Sequence, residues 1–154
     1  MKKFIVIGNP IKHSLSPTLH NYWIKKNNLN AVYNKKKLDI SELKNLIKEV
    51  KERRIHGINV TVPFKNSIIP FLDELSEEAK KTQSVNTIYL KDKIVVGHNT
   101  DIEGFELAIK NINYDLNEKK VLLLGAGGVS SSIIVALKNM QVNKIFLSNR
   151  TQIK

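Results

Sequence analysis

Short apolar runs and longer amphipathic stretches alternate along the chain, and their two periods separate strands from helices. Residues 4–7 are an uninterrupted apolar run closed by Gly8-Asn9-Pro10, the pattern of a buried strand ending in a loop. Beyond that loop Ser16 stands at an N-cap position with Pro17 in the first helical turn, and Leu19, Tyr22, Trp23 and Lys26 follow at helical spacing. Residues 31–38 read as a second strand, polar enough for a place near a sheet edge. Asp39-Ile40-Ser41 leads into a helix over 42–54 with Leu43, Leu46, Ile47 and Val50 as its apolar stripe. Gly57 opens a β-branched strand over 58–62, stopped by Pro63, which cannot donate to a ladder. Strand, helix, strand, helix, strand in this order predicts a parallel α/β arrangement.

A short helical segment over 66–72 and a helix over 76–81 come next, then a strand over 83–90 with Asn86 inside it. The tight turn Lys91-Asp92-Lys93 returns the chain as a strand over 94–97, which makes a hairpin. A helix over 102–112 follows, with Gly104, Phe105, Ala108 and Ile109 expected inward and Asp101 at the N-cap position. The polar stretch Leu116-Asn117-Glu118-Lys119-Lys120 is the natural start of a new unit. Residues 121–124 are wholly apolar, which suits a parallel strand covered on both faces. A glycine turn, a helix through Ala136, Leu137 and Met140, and a strand over 144–147 complete the pattern.

Composition narrows the classes. A chain of 154 residues with 42% hydrophobic content can bury a core as one domain, or as one domain and part of another. The formal net charge of +11 raises the question of nucleic acid, but the lysines are spread in pairs and triplets such as Lys2-Lys3, Lys35-Lys36-Lys37 and Lys119-Lys120, without interleaved aromatics. A solvated basic surface, or one that meets a small anionic substrate, fits better than a nucleic-acid footprint. Cysteine is absent, so disulfides and thiolate metal sites are excluded, in keeping with a cytoplasmic setting. The first apolar run is too short for a signal peptide, and no segment approaches the ~20 apolar residues of a membrane span.

The polar residues at the strand ends carry the candidate chemistry. Ser14 and Ser16 flank a helix N-terminus, a ready anion site, although Ser16 taken alone is a capping residue. Alternation puts Asn59 and Thr61 on one side of their strand, and Lys65 follows the proline turn. Asp73, Glu74, Glu77 and Glu78 gather around a helix start and read as solvated carboxylates rather than an acid/base pair. The run Gly125-Ala126-Gly127-Gly128-Val129-Ser130 lies between a strand and a helix within a strand–helix–strand unit, the context of a dinucleotide phosphate turn. Gly125 permits the tight turn, Gly127 the close approach of a pyrophosphate, and Ser130 takes the third small position. At the end of the second strand Arg150 stands where an acidic residue would select NAD, so NADP is preferred.

Taken together, Ser14-Leu15-Ser16-Pro17, Asn59-Val60-Thr61-Val62-Pro63-Phe64-Lys65, Val85-Asn86-Thr87, Asn99-Thr100-Asp101, Gly125-Ala126-Gly127-Gly128 and Asn149-Arg150-Thr151 resemble the shikimate dehydrogenase family in order and spacing. The resemblance implies an α/β fold with two parts. An amino-acid-dehydrogenase-like N-terminal domain over 1–101 would bind shikimate, and a connecting helix and linker over 102–118 would lead to an incomplete Rossmann, doubly wound NADP domain over 119–154. It implies Lys65 and Asp101 as the catalytic groups, with Ser14, Ser16, Asn59, Thr61 and Asn86 joining them around the substrate. It implies NADP contacts from Gly125, Ala126, Gly127, Gly128, Val129, Asn149, Arg150, Thr151 and Lys154, and no metal.

Those residue types suit the ligand. Shikimate carries one carboxylate and three hydroxyls, which call for one anion site and several neutral hydrogen bonds. The activity implied is reversible NADPH-dependent reduction of 3-dehydroshikimate, a step of chorismate and aromatic amino acid biosynthesis, by a cytoplasmic monomer or homodimer without nucleic-acid or membrane partners. An ion pair at ~4 Å gains about 4 kcal/mol at an effective dielectric near 20, so Asp101 favours a charged Lys65, an acid for the reduction. The reverse direction asks for desolvation of Lys65 or a relay through Asp101. The family continues for roughly a hundred residues beyond Lys154, judged by a complete doubly wound domain. The expectation is therefore a truncated chain, inactive alone, with a non-catalytic shikimate-binding fragment or a quinate-using relative as alternatives.

Overall fold

The computed structural model describes residues 1–151, and Lys154 lies outside the described residues. Six strands form the larger sheet: β1 (Lys2–Gly8), β2 (Ala31–Lys37), β3 (Gly57–Val60), β4 (Glu74–Leu75), β5 (Thr87–Lys91) and β6 (Ile94–His98), in the order β2-β1-β3-β5-β6-β4. β1 runs parallel to both β2 and β3, through the crossovers α1 (Ser16–Lys26) and α2 (Leu43–Lys51). β5 is antiparallel to β3 and to β6. Between β3 and β5 lie α3 (Phe64–Ser67), a 3-10 turn at Ile69–Phe71 and α4 (Glu77–Thr82). α5 (Asp101–Asn111) leads to a parallel pair, β7 (Lys120–Leu124) and β8 (Lys144–Ser148), joined by α6 (Ser130–Asn139).

Strand alternation divides the interior. Ile5 and Ile7 of β1 join Ile58, Val60, Ile88 and Val95 against Leu43, Leu46, Ile47 and Val50 of α2, which forms the main core. Val6 points the other way, toward Tyr33, Ile11 and the half-buried Ile24 of α1. Register pairs Val6 with Asn59 and Asn59 with Thr87, so these polar residues share the α1 face of the sheet. α1 covers that face only over β1 and β2, which leaves Asn59 and Thr87 at its margin.

Several expected details are revised. β3 ends at Val60 rather than 62, although the Thr61 N–H still donates to the Ile7 carbonyl at 2.9 Å. Asn86 precedes β5 instead of lying within it, because the Val85 N–H donates to Lys65 and the Asn86 N–H to His98. The expected helix 66–72 divides into α3 and the 3-10 turn around Pro70. Asp73 is not merely solvated: it pairs with Lys51 at 2.7 Å and accepts from the Val95 N–H at 2.8 Å. Only Ile102 of α5 is buried, while Gly104 and Ala108 are exposed, since α5 packs on α6 rather than on a sheet. β7 is not covered on both faces: the single crossover α6 protects one side of a two-stranded sheet, and Leu122 and Leu124 remain exposed. The hairpin turn Asp92-Lys93 has positive φ at both residues, 47° and 70°, the geometry whose twist matches the flanking strands. Among the described residues, no helix is long and apolar enough to cross a membrane.

Candidate active site

Strand direction decides where the polar residues meet. β1, β3 and β6 all run toward one edge of the sheet, and β5 starts from it. The segments beyond β1, β3 and β6, and the one before β5, therefore deliver Ser14 and Ser16, Thr61 and Lys65, Asp101, and Asn86 to a single edge. Ligands of open α/β sheets bind outside such carboxyl ends. Gly8 makes the approach of β1 to the β3 exit possible, because a Cβ there would lie 2.6 Å from Thr61 Cγ2.

Lys65 and Asp101 meet at 2.6 Å between Nζ and Oδ2, with side chains 14% and 22% exposed. The lysine comes from α3 and the aspartate from the first residue of α5, so the pair closes the gap between two sequence-distant turns. Asp101 is not the helix cap: Thr100 occupies that position, and the carboxylate is left for other partners. Its Oδ1 accepts from Asn86 Nδ2 at 2.9 Å, while Asn86 Oδ1 accepts from the Thr100 N–H at 3.1 Å. Asn99 completes this turn, its Oδ1 accepting from the Asp101 N–H at 2.9 Å. An ammonium in contact with a carboxylate that is itself hydrogen-bonded is a strong charge-assisted arrangement.

Asn59 belongs to a second set. Its Oδ1 accepts from the Tyr33 hydroxyl at 2.6 Å, and its Nδ2 lies 3.3 Å from Thr87 Oγ1. Burial pushes the Tyr33 phenol up to about 12, so it remains a donor across the physiological range and fixes the Asn59 amide orientation. His20 of α1 stacks on Tyr33 with ring centroids 4.2 Å apart, and Trp23 meets His20 edge-on at 5.6 Å. Burial also lowers the His20 pKa. Ser16 is the first residue of α1 and makes no cap bond, contrary to the capping role expected of it; Leu15 occupies the N-cap position. The Ser16 N–H donates to Ser14 Oγ at 3.4 Å, which keeps both hydroxyls at the helix N-terminus. Tyr33, Thr87 and Thr100 are the site-side residues that sequence reading missed; a tyrosine inside an otherwise lysine-rich strand was the available signal.

The glycine turn has the shape its spacing predicts. Gly125 sits at φ +106°, which strains any side-chain-bearing residue. No atom would contact a Cβ at Gly127 or Gly128, so both backbones face open space before α6. The Ser130 hydroxyl donates to the Gly125 carbonyl at 3.0 Å and closes the turn. Asn149 accepts from the Ala126 N–H at 3.3 Å, and the Gly125 N–H donates to Ser148 at 2.7 Å, which ties the turn to the end of β8. Val129, Arg150 and Thr151 are exposed beside it. Backbone N–H groups at a helix start, with a guanidinium at the neighbouring strand end, fit the pyrophosphate and 2′-phosphate of NADP.

Residues 6–88 match the family model described as the shikimate dehydrogenase substrate binding domain, and residues 106–154 match that of shikimate / quinate 5-dehydrogenase. The chain belongs to the shikimate dehydrogenase family. It is 62% identical over 153 residues to the shikimate dehydrogenase (NADP(+)) of Pelagibacter ubique, covering 99% of this chain and 58% of that relative. The crystal structure of shikimate dehydrogenase from Aquifex aeolicus superposes with a TM-score of 0.91 at 43% identity, over 98% of this chain and 56% of that one. The enzyme from Thermus thermophilus, solved in complex with NADP(H) and shikimate, gives 0.88 at 33% identity over 98% and 57%. The chain thus spans little more than half the length of these shikimate dehydrogenases.

Proposed function

We propose that residues 1–101 form the substrate domain of an NADP-dependent shikimate dehydrogenase and that residues 119–154 begin its cofactor domain, with 102–118 connecting them. The observation that carries this reading is the Lys65–Asp101 pair at 2.6 Å on the edge to which the neutral hydrogen-bonding residues converge. The α1 N-terminus with Ser14 and Ser16 takes the carboxylate of shikimate, and Asn59, Thr61 and Asn86 take its hydroxyls. NADPH, when bound at the glycine turn and Arg150, supplies the hydride. Lys65, charged and aimed by Asp101, donates the proton to the oxygen of the 3-dehydroshikimate carbonyl as its negative charge develops. In the opposite direction Lys65 first hands a proton to Asp101 Oδ2, and the neutral amine then accepts the hydroxyl proton as the hydride leaves the substrate carbon for NADP. The protein works as a monomer or homodimer in the cytoplasm, within chorismate and aromatic amino acid biosynthesis.

Calorimetric titration of shikimate into the 154-residue chain, paired with the absorbance of reduced nicotinamide, tests the assignment. Wild-type chain gives a one-to-one isotherm; the absence of binding overturns the substrate site. Lys65→Ala lowers turnover by about a hundredfold to ten-thousandfold, the range of general acid–base catalysis, and weakens shikimate binding less than about tenfold. Equal losses in both would remove Lys65 from the proton step.

A further inference from the structure

Asn99 is 1% exposed and Ser132 is fully buried, and both are polar. A primary amide in such a place is stable only if its hydrogen-bonding capacity is filled. Asn99 Nδ2 reaches Ser132 Oγ of α6 at 2.9 Å, the Ser84 carbonyl at 2.9 Å and Thr82 Oγ1 at 3.1 Å. Its Oδ1 accepts from the Asp101 N–H at 2.9 Å. One side chain thus joins three things: the end of α4, the first turn of α6 two residues beyond Ser130 of the glycine turn, and the backbone of the aspartate that aims Lys65.

We propose that Asn99 is a positioning residue that couples the first turn of α6 to Asp101, with Ser132 as its anchor on the glycine-turn side. The proposal rests on the functional reading above and extends it to a residue that touches neither ligand. The amide is planar, so a shift of the Ser132 hydroxyl rotates Nδ2 and Oδ1 together and moves the hydrogen bond that sets the first turn of α5. Because Asp101 is the first residue of that helix, its carboxylate follows its backbone, and the Lys65 Nζ follows the carboxylate. Placement of the α6 start is in this way transmitted to the partly buried proton-transfer pair over three hydrogen bonds, the first of them between the fully packed Ser132 and Asn99.

The experiment uses the whole 154-residue chain and compares Ser132→Ala with Ser131→Ala, an exposed neighbour on the same turn. Two quantities are read: amide hydrogen exchange at Asp101 by NMR, which needs no ligand, and shikimate affinity by calorimetry. Ser132→Ala removes one hydrogen bond, speeds exchange at Asp101 about fivefold relative to the rest of α5, and weakens shikimate by a similar factor. Ser131→Ala leaves both unchanged. Exchange and affinity equal to wild type in Ser132→Ala would overturn the coupling, and faster exchange with unchanged affinity would reduce Asn99 to a structural role. A wild-type chain that binds no shikimate would sink the functional reading itself, while the exchange at Asp101 would still decide whether Ser132 reaches it.

Discussion

Along β1, Ile5, Val6 and Ile7 are withdrawn from solvent, Ile7 completely, whereas along β7 Leu122 and Leu124 keep 60% and 76% of their surface exposed. The two runs are equally apolar in sequence. β1 lies between two parallel neighbours with helices on both faces, while β7 has one neighbour and one helix. The two candidate sites differ in the same way. The candidate substrate edge depends on side chains, Lys65, Asp101, Asn86 and Asn59, each held by a second side chain. The glycine turn depends on backbone groups, and a single positive φ and three hydrogen bonds are enough to shape it. Side-chain sites demand a rigid surrounding core; backbone sites demand a local conformation.

The largest expected effect is the contrast in core substitutions. Ile7→Ala costs about 2–5 kcal/mol of stability, whereas Leu124→Ala changes it by no more than about 0.5 kcal/mol. Urea unfolding monitored by circular dichroism measures both, and comparable losses would erase the distinction between the two sheets. Next comes Gly125→Ala, which strains the backbone by about 1–3 kcal/mol and weakens NADP binding while leaving shikimate affinity unchanged. Fluorescence titration with NADPH beside shikimate calorimetry tests that separation. Tyr33→Phe removes the donor to Asn59 and lowers shikimate affinity by about three- to tenfold, with no effect on the glycine turn.

The smallest effect is a pH dependence confined to the larger sheet. Asp73 is held below the usual carboxylate range, first by the hydrogen bond from Lys51 and then by the Val95 N–H. A lowered native pKa contributes stability that is complete above the unfolded value of ~3.9 and disappears as pH falls through the native one. Asp73→Asn therefore destabilises at pH 7 by under about 1 kcal/mol, as befits a partly exposed pair, and the difference from wild type closes in acid. Parallel pH–stability curves for the two proteins would show that the carboxylate charge does not matter.

Most of the fold was legible because periodicity and turn residues act locally. α2 shows its stripe at Leu43, Leu46, Ile47 and Val50, and all four are buried. The resemblance singled out the candidate residues Lys65, Asp101 and Asn86 that the fold brings together, yet their partners were not legible. Nothing local to Asp101 tells that its carboxylate meets Lys65 and Asn86 rather than capping α5, because those partners are 36 and 15 residues away. Tyr33 was hidden for the same reason: its role follows from β2 and β3 flanking β1, a matter of sheet order. The apolar run of β7 marks a strand suited to burial, and within this chain α6 covers one of its faces.

Trp23 is the chain's single tryptophan, and it stands edge-on to His20, which stacks on the tyrosine that grips Asn59. Indole emission is quenched by a protonated imidazole in contact and much less by a neutral one. Burial lowers the His20 pKa, so the expected emission is unquenched at neutrality and responds to movement of the Tyr33 ring. Three side chains separate Trp23 from the candidate substrate edge, and a change in its emission on titration with shikimate is the expected signal of binding in unlabelled protein.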